Sequence, residues 1–262
     1  MDDFTDEELQ RWLKFSNKPD PKYFKPYVLY RGLFYSDNMC NYVMKICNQL
    51  KAPDEVAYKT LEMFDRFLLF YFKDLSFGDS MFNFDWPCIP MKRKIMLFLI
   101  VVLQVVTKLI YRHKILKTSD AEKIMLKLGH PFLKNEIINA ELCVISTLQD
   151  SFMYRTLQEC VEFLYVCLCN KVNGLSFVLK NEVVFYVYCR YNYLRVELGK
   201  FQLLFKSSTG TTILLGSAVL FACLILSNRS NKINTILSAF ESLRIMNTQD
   251  VLKATFIILT SI

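Results

Sequence analysis

The sequence predicts an all-α protein, and three observations carry that prediction. Of 262 residues only seven are Gly and seven are Pro, too few punctuating residues for the dense turns of β architecture. Apolar residues make up 53% of the chain, and in its clearest stretches they recur at helical rather than alternating spacing. Two long runs, 95–106 and 211–227, are apolar almost without interruption, as expected of helices enclosed on every side. A chain this rich in Leu, Ile, Val and Phe can bury enough surface to offset the entropy of ordering, which excludes disorder.

The elements follow in order. Residues 1–38 read as an acidic arm and linker. Thr5 with Glu8 makes a capping box and Phe4 with Leu9 a hydrophobic staple, so a short helix is expected here, carrying Leu9, Trp12, Leu13 and Phe15. It ends before Pro19 and Pro21, which mark extended chain. A periodic stretch over 39–50 predicts a helix, stopped at Lys51-Ala52-Pro53, with Asp54 placed to cap the next one. That next helix has the strongest pattern: Ala57, Leu61, Phe64, Leu68 and Tyr71 line one face at a period of 3.6. A loop over 74–90 contains Gly78, Pro87 and Pro90, and a buried helix over 92–110 follows. Residues 119–128 start with a second capping box, Ser119 with Glu122, and are closed by Gly129 and Pro131. The last helix of this half, 133–148, is expected to turn Ile138, Leu142, Ile145 and Leu148 inward.

The second half repeats the plan. Helices are expected over 157–169, 177–198, 211–226, 231–243 and 248–262, separated by Asn173-Gly174, by the 199–210 segment, and by polar turns at Asn228 and Asn247. The third helix of each half is the apolar one. The domain reading is therefore an arm (1–38) and two five-helix units (39–150 and 151–262), each wrapped around its third helix, which gives both apolar runs a place in a core.

Within this frame several segments resemble the cyclin fold. Leu61-Glu62-Met63-Phe64-Asp65-Arg66-Phe67-Leu68 is similar to the second-helix signature of the cyclin box, of which Asp65, Arg66, Phe67 and Leu68 form the structural end. Leu103-Gln104-Val105-Val106-Thr107-Lys108 resembles the end of the third helix, where cyclins place Ala-Ser-Lys, and 139–148, with Glu141, resembles the fifth. Within cyclins the similarity is greatest to the cyclin N-terminal-domain-containing-protein-1 family, the cyclin-like proteins of meiotic crossover formation; 108–115, the stretch around Glu141, 217–228 and 243–260 carry it.

This resemblance implies a nuclear protein of meiotic chromosomes without catalytic activity. It binds a cyclin-dependent kinase, cooperates with other meiotic crossover proteins and needs no cofactor or small-molecule substrate. Lys108 and Glu141 occupy the positions of the cyclin lysine and glutamate that grip the kinase near its movable helix. The chain departs from the pattern in two places. Tyr35-Ser36-Asp37-Asn38-Met39 and Tyr42 stand where cyclins carry Met-Arg-Ala-Ile-Leu and a downstream Trp, so Asp65 lacks its usual arginine partner and Arg31 is the nearby substitute. Leu109-Ile110-Tyr111-Arg112 replaces two acidic residues. A second reading keeps the fold as an interaction scaffold for recombination factors that activates no kinase.

The remaining chemistry is sparse. Nine cysteines without paired spacings, and an opening Met1-Asp2-Asp3-Phe4 unlike a signal peptide, favour a reducing compartment. Two histidines, His113 and His130, and no cysteine cluster leave no zinc spacing. The 95–106 run is short for a membrane span and 211–227 is marginal, so neither is read as one. No nucleophile elbow, phosphate loop or dinucleotide fingerprint is present, and Glu62 with Asp65, adjacent carboxylates on one helix surface, are read as structural. Seven basic residues and no acidic one lie between Met91 and Lys117, among them Lys92, Arg93, Lys94 and Lys108. Such a run usually solvates helix ends; no motif for reading nucleic-acid sequence accompanies it.

Overall fold

The structure, a computed structural model, describes residues 32, 34–73, 89–110, 116–148, 155–172, 175, 177, 179–201, 208–227, 232–243 and 247–262. Outside them lie the capping box at Thr5 and Glu8, Arg31, most of the 74–90 loop, 111–115, Asn173-Gly174, 202–207 and Asn228. The described residues form eleven helices and no strand: α1 (Asp37–Gln49), α2 (Asp54–Lys73), α3 (Ile89–Ile110), α4 (Thr118–Lys127), α5 (Lys134–Leu148), α6 (Leu157–Lys171), α7 (Lys180–Cys189), α8 (Tyr191–Lys200), α9 (Ser208–Leu226), α10 (Ile233–Leu243) and α11 (Thr248–Ser261). The chain divides into two compact units. One is Asn38–Tyr154; the other is Arg155–Ile262 together with the segment that ends at Asp37.

In the Asn38–Tyr154 unit α3 packs against α2, α4 and α5. From Leu97 to Thr107 every residue of α3 is buried, which the apolar run makes favourable at roughly 1.5–3 kcal/mol for each large aliphatic side chain. α2 is as deeply enclosed. The sequence pattern gives it one apolar face, yet all residues 56–69 are buried, and Glu62 and Asp65 lie inside rather than on a surface. Lys59, Glu62, Asp65 and Arg66 are each engaged in polar or electrostatic contacts, as buried charges must be. Asp54, expected to cap α2, is instead its first helical residue.

Two tight stops shape this unit. After α1 the amide of Ala52 donates to Cys47 O (2.9 Å) and that of Lys51 to Asn48 O (3.0 Å), a Schellman closure that forces Lys51 to φ +52°. After α4 the same closure uses Gly129, at φ +75°. The capping expected from Ser119 and Glu122 is replaced by half of a capping box earlier in the chain. α4 already starts at Thr118, and the Lys117 amide donates to Asp120 Oδ2 at 3.2 Å.

α5 is rotated from its expected orientation. Ile137, Ala140, Val144 and Leu148 face the core, whereas Ile138, Leu142 and Ile145 are exposed. The inward set mixes small Ala140 and Val144 with bulky Ile137 and Leu148, while a second bulky stripe faces outward.

In the other unit α9 is the enclosed helix, buried without a break from Thr211 to Leu224 and packed on α6, α7 and α11. Gly216 permits close contact with α6: a Cβ there would sit 3.1 Å from Cys160 Sγ and 3.3 Å from Leu164 Cδ1. The single helix expected over 177–198 is two helices, α7 and α8, which meet at Arg190 (φ −101°, ψ 11°). Residues 32 and 34–37, expected in a linker, pack with this unit. The ring of Tyr35 lies 5.5 Å from those of Tyr188 and Tyr191, and Asn192 Nδ2 donates to Tyr35 O at 3.2 Å. Among the described residues no helix is long and apolar enough to cross a membrane.

Candidate functional site

The positions singled out from the sequence, Lys108 and Glu141, meet one another. Lys108 is near the end of α3 and Glu141 at the middle of α5, and the Lys108 ammonium donates to Glu141 Oε1. The two helices run parallel, since Arg93 early in α3 bonds Pro131 O just before α5, while the later Lys108 reaches a later point on α5. The pair is asymmetric. Lys108 is 40% exposed and Glu141 only 14%, so the ammonium retains donors toward solvent whereas the carboxylate is largely committed to the fold.

Gln104 explains that commitment. Fully buried on α3, one turn before Lys108, its Nε2 donates to Glu141 Oε2 (3.0 Å) and lies 3.2 Å from Thr118 Oγ1 at the start of α4. One amide thus ties α3, α4 and α5 together. Next to it Thr107 Oγ1 donates to Gln104 O (2.8 Å) and accepts from the Leu116 amide (3.1 Å), which fixes the entry to α4. In the sequence Gln104 stands out as the lone amide in an apolar helix, and a buried amide needs partners. That signal marks it as a group in need of partners, which only the packing of α3, α4 and α5 identifies.

Beside this pair lies the outward stripe of α5. Ile138 and Leu142, one turn apart, flank Glu141 together with Ile145, and Leu142 is 60% exposed. Leu109, next to Lys108 on α3, is also exposed. A cation on a half-buried ion pair, bordered by large aliphatic side chains, suits contact with a second protein: apolar area contributes association energy and the ammonium fixes register.

The other resemblance-derived residues, Asp65, Arg66, Phe67 and Leu68, are interior. Phe67 packs its ring 4.7 Å from that of Phe98 and 5.4 Å from Tyr71, and Asp65, Arg66 and Leu68 are buried on α2. Of the basic run, Arg93, Lys94, Lys108 and Lys117 are exposed. No group of His, Cys, Asp or Glu among the described residues is arranged to hold a metal ion. The described cysteines are free thiols, and burial pushes those of Cys47 and Cys223 up to about 12. The chain matches no family model, no curated protein and no solved structure.

Proposed function

We propose that this chain is a non-catalytic, cyclin-like regulator that docks a cyclin-dependent kinase and promotes the maturation of meiotic crossovers on chromosomes in the nucleus. The reading rests on the ordered resemblance of three short segments, around Asp65, Lys108 and Glu141, to the cyclin box. The observation that carries it furthest is the placement of Lys108 and Glu141 as one pair beside the exposed stripe of Ile138, Leu142 and Ile145. In this reading the stripe covers an apolar face of the kinase's movable helix, and the Lys108 ammonium donates to carbonyls at that helix's end as charge-assisted bonds. Holding the helix in place sets the ion pair the kinase needs to bind ATP productively.

The test exploits the pairing. Exchanging the two charges, Lys108→Glu with Glu141→Lys, retains an internal ion pair but presents the opposite charge to a partner. The exchanged protein is expected to remain folded and to lose kinase from pull-downs of meiotic tissue read by mass spectrometry. Unchanged kinase recovery overturns the site assignment. Recovery of recombination factors with no kinase in either sample favours the scaffold.

A further inference from the structure

A second feature of the Asn38–Tyr154 unit is independent of the Lys108–Glu141 face. Between α2, α3 and α5 opens a cleft of about 670 Å³, within the range of sites that enclose a small ligand or a few peptide side chains. α5 contributes Asn139, Ala140 and Cys143 to it, positions turned roughly 140° about the helix axis from the stripe of Ile138, Leu142 and Ile145.

The floor is aromatic, built from Tyr71, Phe98 and Phe132 with Leu97. Its rim holds two exposed cations. Arg93 donates to Pro131 O and lies 4.4 Å from the centroid of the Phe132 ring; Lys94 lies 5.4 Å from that of Tyr71 and 5.8 Å from that of Phe98. Both charges are therefore held over the floor instead of ranging through solvent, which lowers the ordering cost of binding an anion. The parallel helices α3 and α5 both begin at this end, so their dipoles add positive potential. The acidic group on the rim, Glu136, accepts the Leu133 amide at 2.7 Å, and the lining carries two cations against this one carboxylate. Asn139, exposed at the edge, offers both a donor and an acceptor to an extended backbone.

We propose that this cleft binds an acidic linear segment of a partner protein, with carboxylates on Arg93 and Lys94 and a neighbouring aromatic or large aliphatic side chain against Tyr71, Phe98 and Phe132. Charge complementarity selects this occupant: an apolar ligand alone leaves the cations unused, and a basic one is repelled.

The probe is a fluorescent octapeptide, Glu-Asp-Glu-Trp-Phe-Glu-Asp-Glu, titrated into the full chain with polarisation as readout. Saturable micromolar binding is expected, weakened at least tenfold by Lys94→Glu or by Arg93→Glu and changed less than twofold by Lys123→Glu with Lys127→Glu, exposed lysines of α4. Lys94 makes no hydrogen bond to the Pro131 segment, so its variant keeps the test sound should Arg93→Glu unfold the chain. Saturating peptide is also expected to slow alkylation of Cys143 severalfold, read by mass spectrometry. Several results overturn the proposal: no binding at millimolar peptide, equal binding of a version with Lys for each acid or Ala for each aromatic, insensitivity to Lys94→Glu, displacement by a single-stranded oligonucleotide, or a Cys143 already blocked in the free chain.

Discussion

Gln104 and Glu141 are joined across α3 and α5, the amide nitrogen 3.0 Å from Oε2 of the carboxylate, on the side of the carboxylate opposite to the oxygen that Lys108 occupies. The internal bond and the solvent-facing one therefore differ in weight. Glu141→Ala leaves the buried Gln104 amide with Thr118 Oγ1 alone and removes the Lys108 pair as well, and is expected to cost about 1–2 kcal/mol, whereas Lys108→Met removes only the half-exposed ion pair and is expected to cost under about 1 kcal/mol. Urea unfolding of both variants checks the order. Equal losses would mean that the buried amide finds another acceptor.

Gly32 cannot be replaced without strain. Its φ is +79°, and a Cβ would sit 2.2 Å from Cδ1 of Tyr191. Gly32→Ala combines left-handed backbone with a direct clash, and a loss of about 2 kcal/mol or more is expected. Shortening the ring with Tyr191→Ala in the same chain is expected to remove the clash but not the backbone cost, so a double-mutant cycle separates the two.

The two Schellman stops differ in their left-handed residue, and they make opposite predictions. Lys51→Gly relieves a side chain at φ +52° and is expected to stabilise by roughly 0.5–1 kcal/mol. Gly129→Ala, at φ +75° with nothing within 4 Å of the new Cβ, is expected to cost about 1 kcal/mol from the backbone alone. Thermal melts of the pair provide the comparison.

Gly216 faces Cys160 and Leu164 where α9 meets α6. Alanine there gains helix propensity of roughly 0.5–1 kcal/mol but must push α6 aside, and a net loss of about 1 kcal/mol is expected. Because the nearest atom is Cys160 Sγ, at 3.1 Å, Cys160→Ala is expected to be less harmful beside Gly216→Ala than alone. Additive losses would place the strain elsewhere.

The thiols of Cys47 and Cys223 rise from 9.0 to about 12 in the folded chain, chiefly through burial. Their contribution to stability is complete below pH ~9. Above it the unfolded chain releases these protons first, so stability falls until the pH passes about 12. The expected slope is about 1.4 kcal/mol per pH unit per thiol. Urea midpoints between pH 8 and pH 11 for the wild type and for Cys47→Ala with Cys223→Ala check this, the variant showing the shallower decline.

The enclosed helices α3 and α9 were legible because a helix without a polar face has few places to go except a core. The orientation of α5 was not. Choosing its inward face by bulk selects Ile138, Leu142 and Ile145 with Leu148, but α5 carries bulky side chains on two faces, and the one packed inside holds Ile137, Ala140, Val144 and Leu148. The break at Arg190 has no Gly or Pro to announce it: its backbone merely leaves helical geometry while Leu194 still donates to Arg190 O at 3.0 Å. Lys108 and Glu141 could be marked from short motifs, but their mutual bond and the role of Gln104 depend on α3 and α5 running parallel, a fact of packing that spacing along one chain does not encode.

Tyr35 packs against Tyr188 and Tyr191, and Asn192 bonds its carbonyl 157 residues away along the chain. During synthesis this contact must wait until nearly three-quarters of the sequence has emerged, so an early segment stays unsatisfied while the helices of Asn38–Tyr154 complete themselves locally. It also means that no single cut separates the two units intact. A fragment beginning at Arg155 lacks the tyrosine that closes the cluster on α7 and α8, and it is the fragment to expect in aggregates.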